Sequence, residues 1–435
     1  MNIISLLTKK RKKGTLTKEE IEYFVKEYGK GNIEDYQATG LVMAMCINGL
    51  TKEEIKDLTI AMAESGDQID MSEVSENFVE KNSIGGVGDK VSLILLPILA
   101  SLDIPSGKLT SKGIGIGGST GDKLLSIPGF RSDITIEEYK DNLKDEKISV
   151  TTNLLDIAPA EKRLYDLRRK IDCMDNLNLV AASLMSRKIA SGANKLLINI
   201  ECGYGSSIKN YRDGRILARL LMDSGKLAGK EVRCVISKMY EPLGKSIGNS
   251  LEVIEAVEAL KGNFEKDVKE VVYTVGIQMI LMAGKAKNEK DARKLIDDSI
   301  KSGKALEKFK RLIELQNGDS SFIDDYSKLG EAKYKYEVKS PCSGYVQMLD
   351  AERIGNIAIY LGAGRKTTQD EMDYTSGIVI EKKMDDYIKK GETIAYIYTN
   401  DESKINGASK NILDAYALGK KMFSKGSAIL AVMTK

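Results

Sequence analysis

The chain has 435 residues, 42% hydrophobic and 30% charged, too long for one ordinary domain and typical of two or three globular ones. Its 66 basic and 63 acidic residues leave a net charge of +3, which gives no argument for nucleic-acid or membrane binding. There is no histidine, so imidazole chemistry is excluded, and no run approaches the about 20 apolar residues of a membrane span.

The five cysteines, Cys46, Cys173, Cys202, Cys234 and Cys342, are scattered and form no CxxC pair. They predict neither a disulfide framework nor a zinc site, and a reducing cytoplasm as the location. The N-terminal "MNIISLLTKKRKKGTLT" places apolar residues before the charge, the reverse of a signal peptide. The basic run from Lys9 to Lys13 reads as a solvated helix end or turn.

Residues 1 to about 65 read as helices. Thr17 with Glu20 and Thr51 with Glu54 form capping boxes. Ile21, Phe24, Val25 and Tyr28 follow the first box on one face, and Ile55, Leu58 and Met62 the second. Between them "YQATGLVMAMCINGL" is apolar nearly all round and is expected to be buried. These stripes are core or subunit interface.

From about 70 the pattern becomes strand, glycine loop, helix. "ENFVEKN" is strand-like, and "SIGGVGDKVSLILLPILASL" is a glycine loop opening a helix near Asp89. "GKLTSKGIGIGGSTGDKLLSIPGF", Gly107 to Phe130, is a short strand, a second glycine loop and a Pro-Gly turn. Residues 156–192 are helical again. "NKLLINIECGYGS" and "KEVRCVISKM" are β-rich, and helices follow to about 330. Past about 332 "KYEVKSPCSGYVQML" and "SGIVIEKKMDDYIKKGETIAYIYT" alternate apolar and polar. Those stretches resemble the hammerhead of biotinyl or lipoyl carriers, but Lys382 and Lys383 lack the neighbours of a carrier lysine, so a structural role is expected.

The fold class expected is α/β: a discontinuous helical domain, 1–68 continued by 156–192, and a mixed-sheet α/β domain, 69–155 and 193–331. A C-terminal α+β, hammerhead-like domain, 332–435, completes it.

Glycine loops that open onto helices bind anions through backbone N–H groups. The first offers Gly85, Gly86 and Gly88, with Lys81, Ser83 and Ser92 around it. The second offers Gly113, Gly115, Gly117 and Gly118, flanked by Thr110 and Thr120. Neither matches GxxxxGK[ST] or a dinucleotide fingerprint, and each taken alone is equally a tight turn between strand and helix.

"EKNSIGGVGDKVS" resembles the DKHSTGGVGDK segment of the pyrimidine-nucleoside and thymidine phosphorylases. The resemblance continues in order through "SKGIGIGGSTGDKLLSIPGF", "RLYDLRR", "LVAASLMSRKIASGAN", "EPLGKSIGNSLEVIEAVEALKG" and "GNIAIYLGAGRKTTQDEMDYTSGIVI", over nearly the whole chain. It implies a homodimer formed through the helical domain, with substrates in the cleft between that domain and the α/β domain. It implies reversible phosphorolysis, in which phosphate attacks C1′ of a nucleoside as the N-glycosidic bond breaks. Nucleoside and inorganic phosphate are the implied substrates, and no cofactor is required.

The same resemblance implies phosphate-binding roles for Lys81, Ser83, Gly85, Gly86, Ser92, Thr110 and Thr120. It implies base-binding roles for Asn82, Tyr165, Arg168, Ser183 and Arg187. It further implies a cation such as potassium held by Gly88, the Leu243 and Ser246 carbonyls, and Glu252; a glutamate there is also a simple helix-dipole partner. The departures concentrate on the base side. Asn82 and Ile116 stand at family histidines, Arg187 at a lysine, Ser207 at an aromatic residue and Leu125 at a glutamate, and "GGST" replaces TGGT. Asparagine hydrogen-bonds but is no general acid. A phosphorylase for a different or modified base, and a non-catalytic binding relative, remain alternatives to a pyrimidine-nucleoside phosphorylase.

Overall fold

The computed structural model describes residues 1–75, 78–367, 369–422, 424 and 426–434. Four helices open the chain: α1 (Ile3–Arg11), α2 (Lys18–Gly29), α3 (Asp35–Asn48) and α4 (Lys52–Ala63). Both capping boxes form. The Thr17 and Thr51 hydroxyls accept from Glu20 N and Glu54 N at 3.3 and 3.1 Å, and each carboxylate accepts from its threonine N–H. The α2 and α4 stripes are buried. α3 is not buried all round: Tyr36 and Ile47 are 74% and 76% exposed. The basic run is not wholly solvated either. Lys10 is buried, and its ammonium donates to the Glu54 oxygens at 2.7 and 2.9 Å. Glu54 also accepts from Leu16 N, so a carboxylate already fixed by its cap draws the lysine inward.

The chain continues with β1 (Val79–Ser83), α5 (Val91–Ser101), β2 (Ser106–Leu109), α6 (Thr120–Leu124), α7 (Ile136–Asp145) and β3 (Ile148–Thr151). Glu76 and Asn77 of the expected strand lie outside the described residues. α5 starts two residues beyond Asp89, whose carboxylate accepts from Val91 N at 3.1 Å. α8 (Pro159–Lys170) and α9 (Leu177–Ala190) then return to the first helices. Ala160, Leu164, Leu179 and Ala182 share one core with Phe24, Leu58 and Met62. The same packing corrects the cysteine expectation: Cys46 of α3 and Cys173 between α8 and α9 are joined as a disulfide across 127 positions of sequence, while Cys202, Cys234 and Cys342 are free.

Next come β4 (Lys195–Cys202), α10 (Tyr211–Leu227), β5 (Glu231–Lys238), β6 (Ser246–Ile247), α11 (Asn249–Leu260), α12 (Lys266–Met282), α13 (Glu289–Lys301) and α14 (Lys304–Leu315). The last part holds β7 (Tyr334–Lys339), β8 (Gly344–Leu349), α15 (Ala351–Leu361), β9 (Gly377–Ile380), β10 (Tyr387–Ile388), β11 (Thr393–Thr399), α16 (Ile405–Ala415), β12 (Tyr416–Gly419) and β13 (Ile429–Met433).

The fold is mixed α/β. Its main sheet has the order β1-β4-β5-β13, the first three strands parallel and β13 antiparallel to β5. β2 and β3 pair in parallel beside it. Two antiparallel sheets, β6-β9-β11-β7 and β10-β8-β12, build the small C-terminal part. Two strands cross the boundary expected near 332: β6 joins the C-terminal sheet, and β13 returns to the main one. The carboxyl ends of β1 and β4 lie side by side, the edge at which open α/β sheets bind ligands.

The Lys10–Glu54 pair predicts a stability loss out of proportion to a lysine in a basic run. Lys10→Ala leaves a buried carboxylate without its cation and should cost about 3–5 kcal/mol in urea unfolding. A loss under about 0.5 kcal/mol, the surface norm, would show the pair to be solvated.

Candidate functional site

β1 carries Lys81, Asn82 and Ser83 to the carboxyl edge of the sheet, and the first glycine loop turns the chain back into α5. Gly85 and Gly88 have φ of 95° and 77°, a left-handed backbone that a side chain would strain. The second loop runs from Thr110 to Thr120. A Cβ on Gly117 would lie 3.3 Å from Gly86 O, so the two loops touch backbone to backbone.

The buried Lys81 ammonium donates to Ser83 Oγ at 3.1 Å, Ser92 Oγ at 3.4 Å and Asp89 Oδ2 at 3.5 Å. Ser83 Oγ donates to the same Asp89 oxygen at 2.7 Å. The structure therefore brings Lys81, Ser83 and Ser92 together around an aspartate that sequence reading passed over. Burial alone would raise the Asp89 carboxyl, but Lys81, Lys123 and the bonds from Ser83 and Val91 outweigh it and hold it well below the carboxylate range. Lys123 of α6 ties the second loop to the first, donating to Asp89 O at 2.6 Å. Thr110 is buried beside the first turn of α6, where a Cβ on Gly121 would meet its methyl at 3.0 Å; Thr120 opens that turn. Gly115 N donates to Arg365 O, and Arg365 Nη1 donates to Asp122 Oδ1 at 2.6 Å, so the C-terminal part clamps the second loop. Lys108 lies behind the cluster, donating to Lys81 O at 3.3 Å; burial, then the charges of Lys81 and Lys188, push its ammonium down to about 7.

A second cluster forms where α8 meets α9. Arg168 is buried, its Nε donating to Cys173 O at 3.1 Å and its Nη1 to Leu179 O at 3.2 Å. Its Nη2 is buried with no hydrogen-bond partner among the described residues. Ser183 Oγ donates to Glu161, which also pairs with Arg187 at 3.6 Å, and the Arg187 guanidinium lies 5.8 Å from the Tyr165 ring centre. Tyr165, Arg168, Ser183 and Arg187 thus share one neighbourhood, organised by a glutamate three positions before Leu164 that gave no signal of its own. A cavity of about 20 Å³, room for about one water, is walled by Phe24, Val42, Met45, Tyr165, Arg168 and Ser183. Asn82 is half-buried, its amide donating to Ser83 O at 3.2 Å. Ser207 is exposed after β4, and Ile116 packs against Gly355 of α15.

The residues expected to hold a cation do not fit one. Leu243 O and Ser246 O accept from Lys90 Nζ at 2.7 and 3.1 Å, and the carboxylate in that set is Glu255, at 2.9 Å. Glu252 pairs instead with Lys123 at 2.8 Å, one turn earlier on α11. A Cβ on Gly88 would be 3.4 Å from the same Nζ. Among the described residues no group of three or more His, Cys, Asp or Glu could hold a metal ion.

Three protein-family models match this chain. Residues 4–66 match the glycosyl transferase family helical bundle domain, 75–306 its a/b domain, and 345–419 the pyrimidine nucleoside phosphorylase C-terminal domain. The chain is 41% identical over 402 residues to a pyrimidine-nucleoside phosphorylase of Geobacillus stearothermophilus, covering 92% of this chain and 93% of that one. It is 41% identical over 403 residues to the enzyme of that name from Bacillus subtilis (strain 168), covering 93% of each. In fold it is similar to the crystal structure of anthranilate phosphoribosyltransferase from Thermus thermophilus, with a TM-score of 0.58 and 14% identity over 72% of this chain and 99% of that one. No described helix is long and apolar enough to cross a membrane. The ordered glycine loops, the Arg168 cluster and this similarity along nine-tenths of the chain lead to one conclusion: the chain belongs to the pyrimidine-nucleoside phosphorylase family of glycosyl transferases.

Proposed function

We propose that this chain catalyses reversible phosphorolysis of a pyrimidine nucleoside. The observation that carries the reading is the Lys81–Ser83–Ser92 set flanking one glycine loop, with a second glycine loop in backbone contact. Phosphate is held there by the ammonium, the hydroxyls, the loop N–H groups, Thr110 and Thr120. One of its oxygens forms a bond to C1′ while the C1′–N bond breaks and its electron pair moves onto the base. The base lies against the α8–α9 cluster, on the side where Tyr165 and Arg187 face solvent, because the 20 Å³ cavity behind them has no room for it. Arg168 supplies its unused Nη2 to a base carbonyl and, with Arg187, stabilises the departing anion. Neither half requires an imidazole.

A second reading, the same reaction on a different base, is favoured by Asn82 and Ser207, which stand where the family motifs carry a histidine and an aromatic residue. Purified protein with phosphate and a panel of nucleosides distinguishes the two by the free base and pentose 1-phosphate released. Purine release without uracil or thymine release would overturn the pyrimidine assignment, and no release from any nucleoside would overturn the phosphorylase reading. Lys81→Ala and Arg168→Ala should each lower turnover by about 10²–10³, the usual cost of one electrostatic stabiliser. Asn82→His should change base preference more than the phosphate KM.

We also propose a homodimer. Tyr36, Met43 and Ile47 recur at helical spacing on α3 and leave an apolar stripe open. Tyr36→Glu with Ile47→Glu should halve the mass measured by light scattering, and an unchanged mass would place the interface elsewhere.

Glu201, like Lys108, gives the site a pH dependence. It ends β4 beneath the first loop, accepting from Gly85 N at 3.2 Å and from the Asn199 amide at 2.6 Å. Burial, then the Asp89 charge, push its carboxyl up to about 7 from 4.5. The folded chain therefore holds a proton that the unfolded chain has released, and this contribution is lost as pH rises from 4.5 through about 7. Glu201→Gln should gain in Tm relative to wild type over that window. A difference independent of pH would refute the assignment.

A further inference from the structure

We propose that Lys90 is a built-in cation. Its ammonium takes the place of an exchangeable potassium-like ion where the first glycine loop, the 241–246 turn and α11 meet, so the protein needs no added monovalent cation to fold or to turn over.

The coordination of the nitrogen carries this. Lys90 is wholly buried, and an ammonium has three N–H donors. Three oxygens receive them: Leu243 O at 2.7 Å, Glu255 Oε2 at 2.9 Å and Ser246 O at 3.1 Å. Two carbonyls and one carboxylate are the hard oxygen donors that an alkali cation would also take. Glu255 is fixed from its other side by Lys245 N and Ser246 N, the latter at 2.7 Å, so one positive and one negative charge balance within the cage. The walls allow little else: a Cβ on Gly244 would stand 2.7 Å from the nitrogen and one on Gly88 3.4 Å. A metal ion would have to expel the ammonium, whose stem is anchored at the residue preceding α5, or share its oxygens at a repulsive distance.

The cage also has a mechanical consequence. Leu243 N donates to Val87 O at 3.0 Å, so the turn and the glycine loop are joined both by backbone and by Lys90. From the opposite side Lys383 of the C-terminal part donates to Pro242 O at 2.8 Å, to Gly244 O at 3.0 Å and to Asp267. Two buried ammonium groups thus hold one turn, and the turn backs the loop that carries the proposed phosphate site. Lys90 is a positioning residue: it acts through Gly88, Val87 and the start of α5.

The test uses the full chain in choline, sodium, potassium or ammonium chloride at equal ionic strength, read first as Tm without substrates and then as phosphate and nucleoside KM. Wild type should give the same Tm and rate in all four salts; a rise specific to potassium or ammonium would overturn the proposal. Lys90→Ala should lose about 5 °C or more of Tm in choline chloride. Potassium or ammonium should restore much of that loss and bring back the phosphate KM more than the nucleoside KM. An unchanged Tm, or a loss that no cation restores, would show an ordinary ion pair and overturn the proposal. If Lys90→Ala does not fold, Lys90→Met keeps the apolar stem, and the wild-type salt series decides alone. The Tm readout needs no turnover, so its failure is distinct from failure of the phosphorylase reading.

Discussion

An ammonium group taken out of water must be surrounded by oxygens, and the interior of this protein is arranged around that requirement. Lys81 meets Asp89 and two hydroxyls, Lys90 meets Glu255 and two carbonyls, and Lys123 meets Glu252 and Asp89 O. Lys188 of α9 pairs with Glu80 of β1, and Lys383 pairs with Asp267. Apart from the Lys81 set, which spans one strand, loop and helix, each carboxylate pair joins elements far apart in sequence. Together they connect β1 to the helical part, the first glycine loop to the second, and both to the C-terminal part.

The two halves of the site differ for this reason. Around the glycine loops Lys81 and Asp89 already partner each other, Lys123 holds Asp89 O, and the two loops are in contact. Such a site pays its ordering cost during folding and acts by position and charge. In the α8–α9 cluster Arg168 keeps one donor without a partner among the described residues, and Tyr165 and Arg187 face solvent. That cluster is free to change its chemistry without disturbing the buried network, and it holds Arg187, which stands at a family lysine.

Local features were legible in the amino-acid order. Thr17, Glu20, Thr51 and Glu54 form their caps within four residues, and the α2 and α4 stripes follow from a period of 3.6. Gly85 and Gly88 were readable as turn glycines, and Lys81, Ser83 and Ser92 as neighbours around one loop and helix. Long-range choices were not. Glu252 and Glu255 are one turn apart on α11, and only the approach of Lys90 and Lys123 decides which carboxylate joins which cage. Lys10 looked like its neighbours in a basic run until Glu54 was seen behind it. β13 pairs with β5, which lies nearly 200 positions earlier.

The sequence by itself determined the helices, the two glycine loops, the order of domains and the family, because these depend on hydrogen bonds, periodicity and backbone angles spanning a few residues. Tertiary structure alone decided the disulfide between Cys46 and Cys173, the return of β13 to the main sheet, the free Nη2 of Arg168 and the cage around Lys90. In each case a group's state depends on which distant atoms surround it after burial. A lysine whose acceptors stand more than 150 residues away has no signature in its own segment.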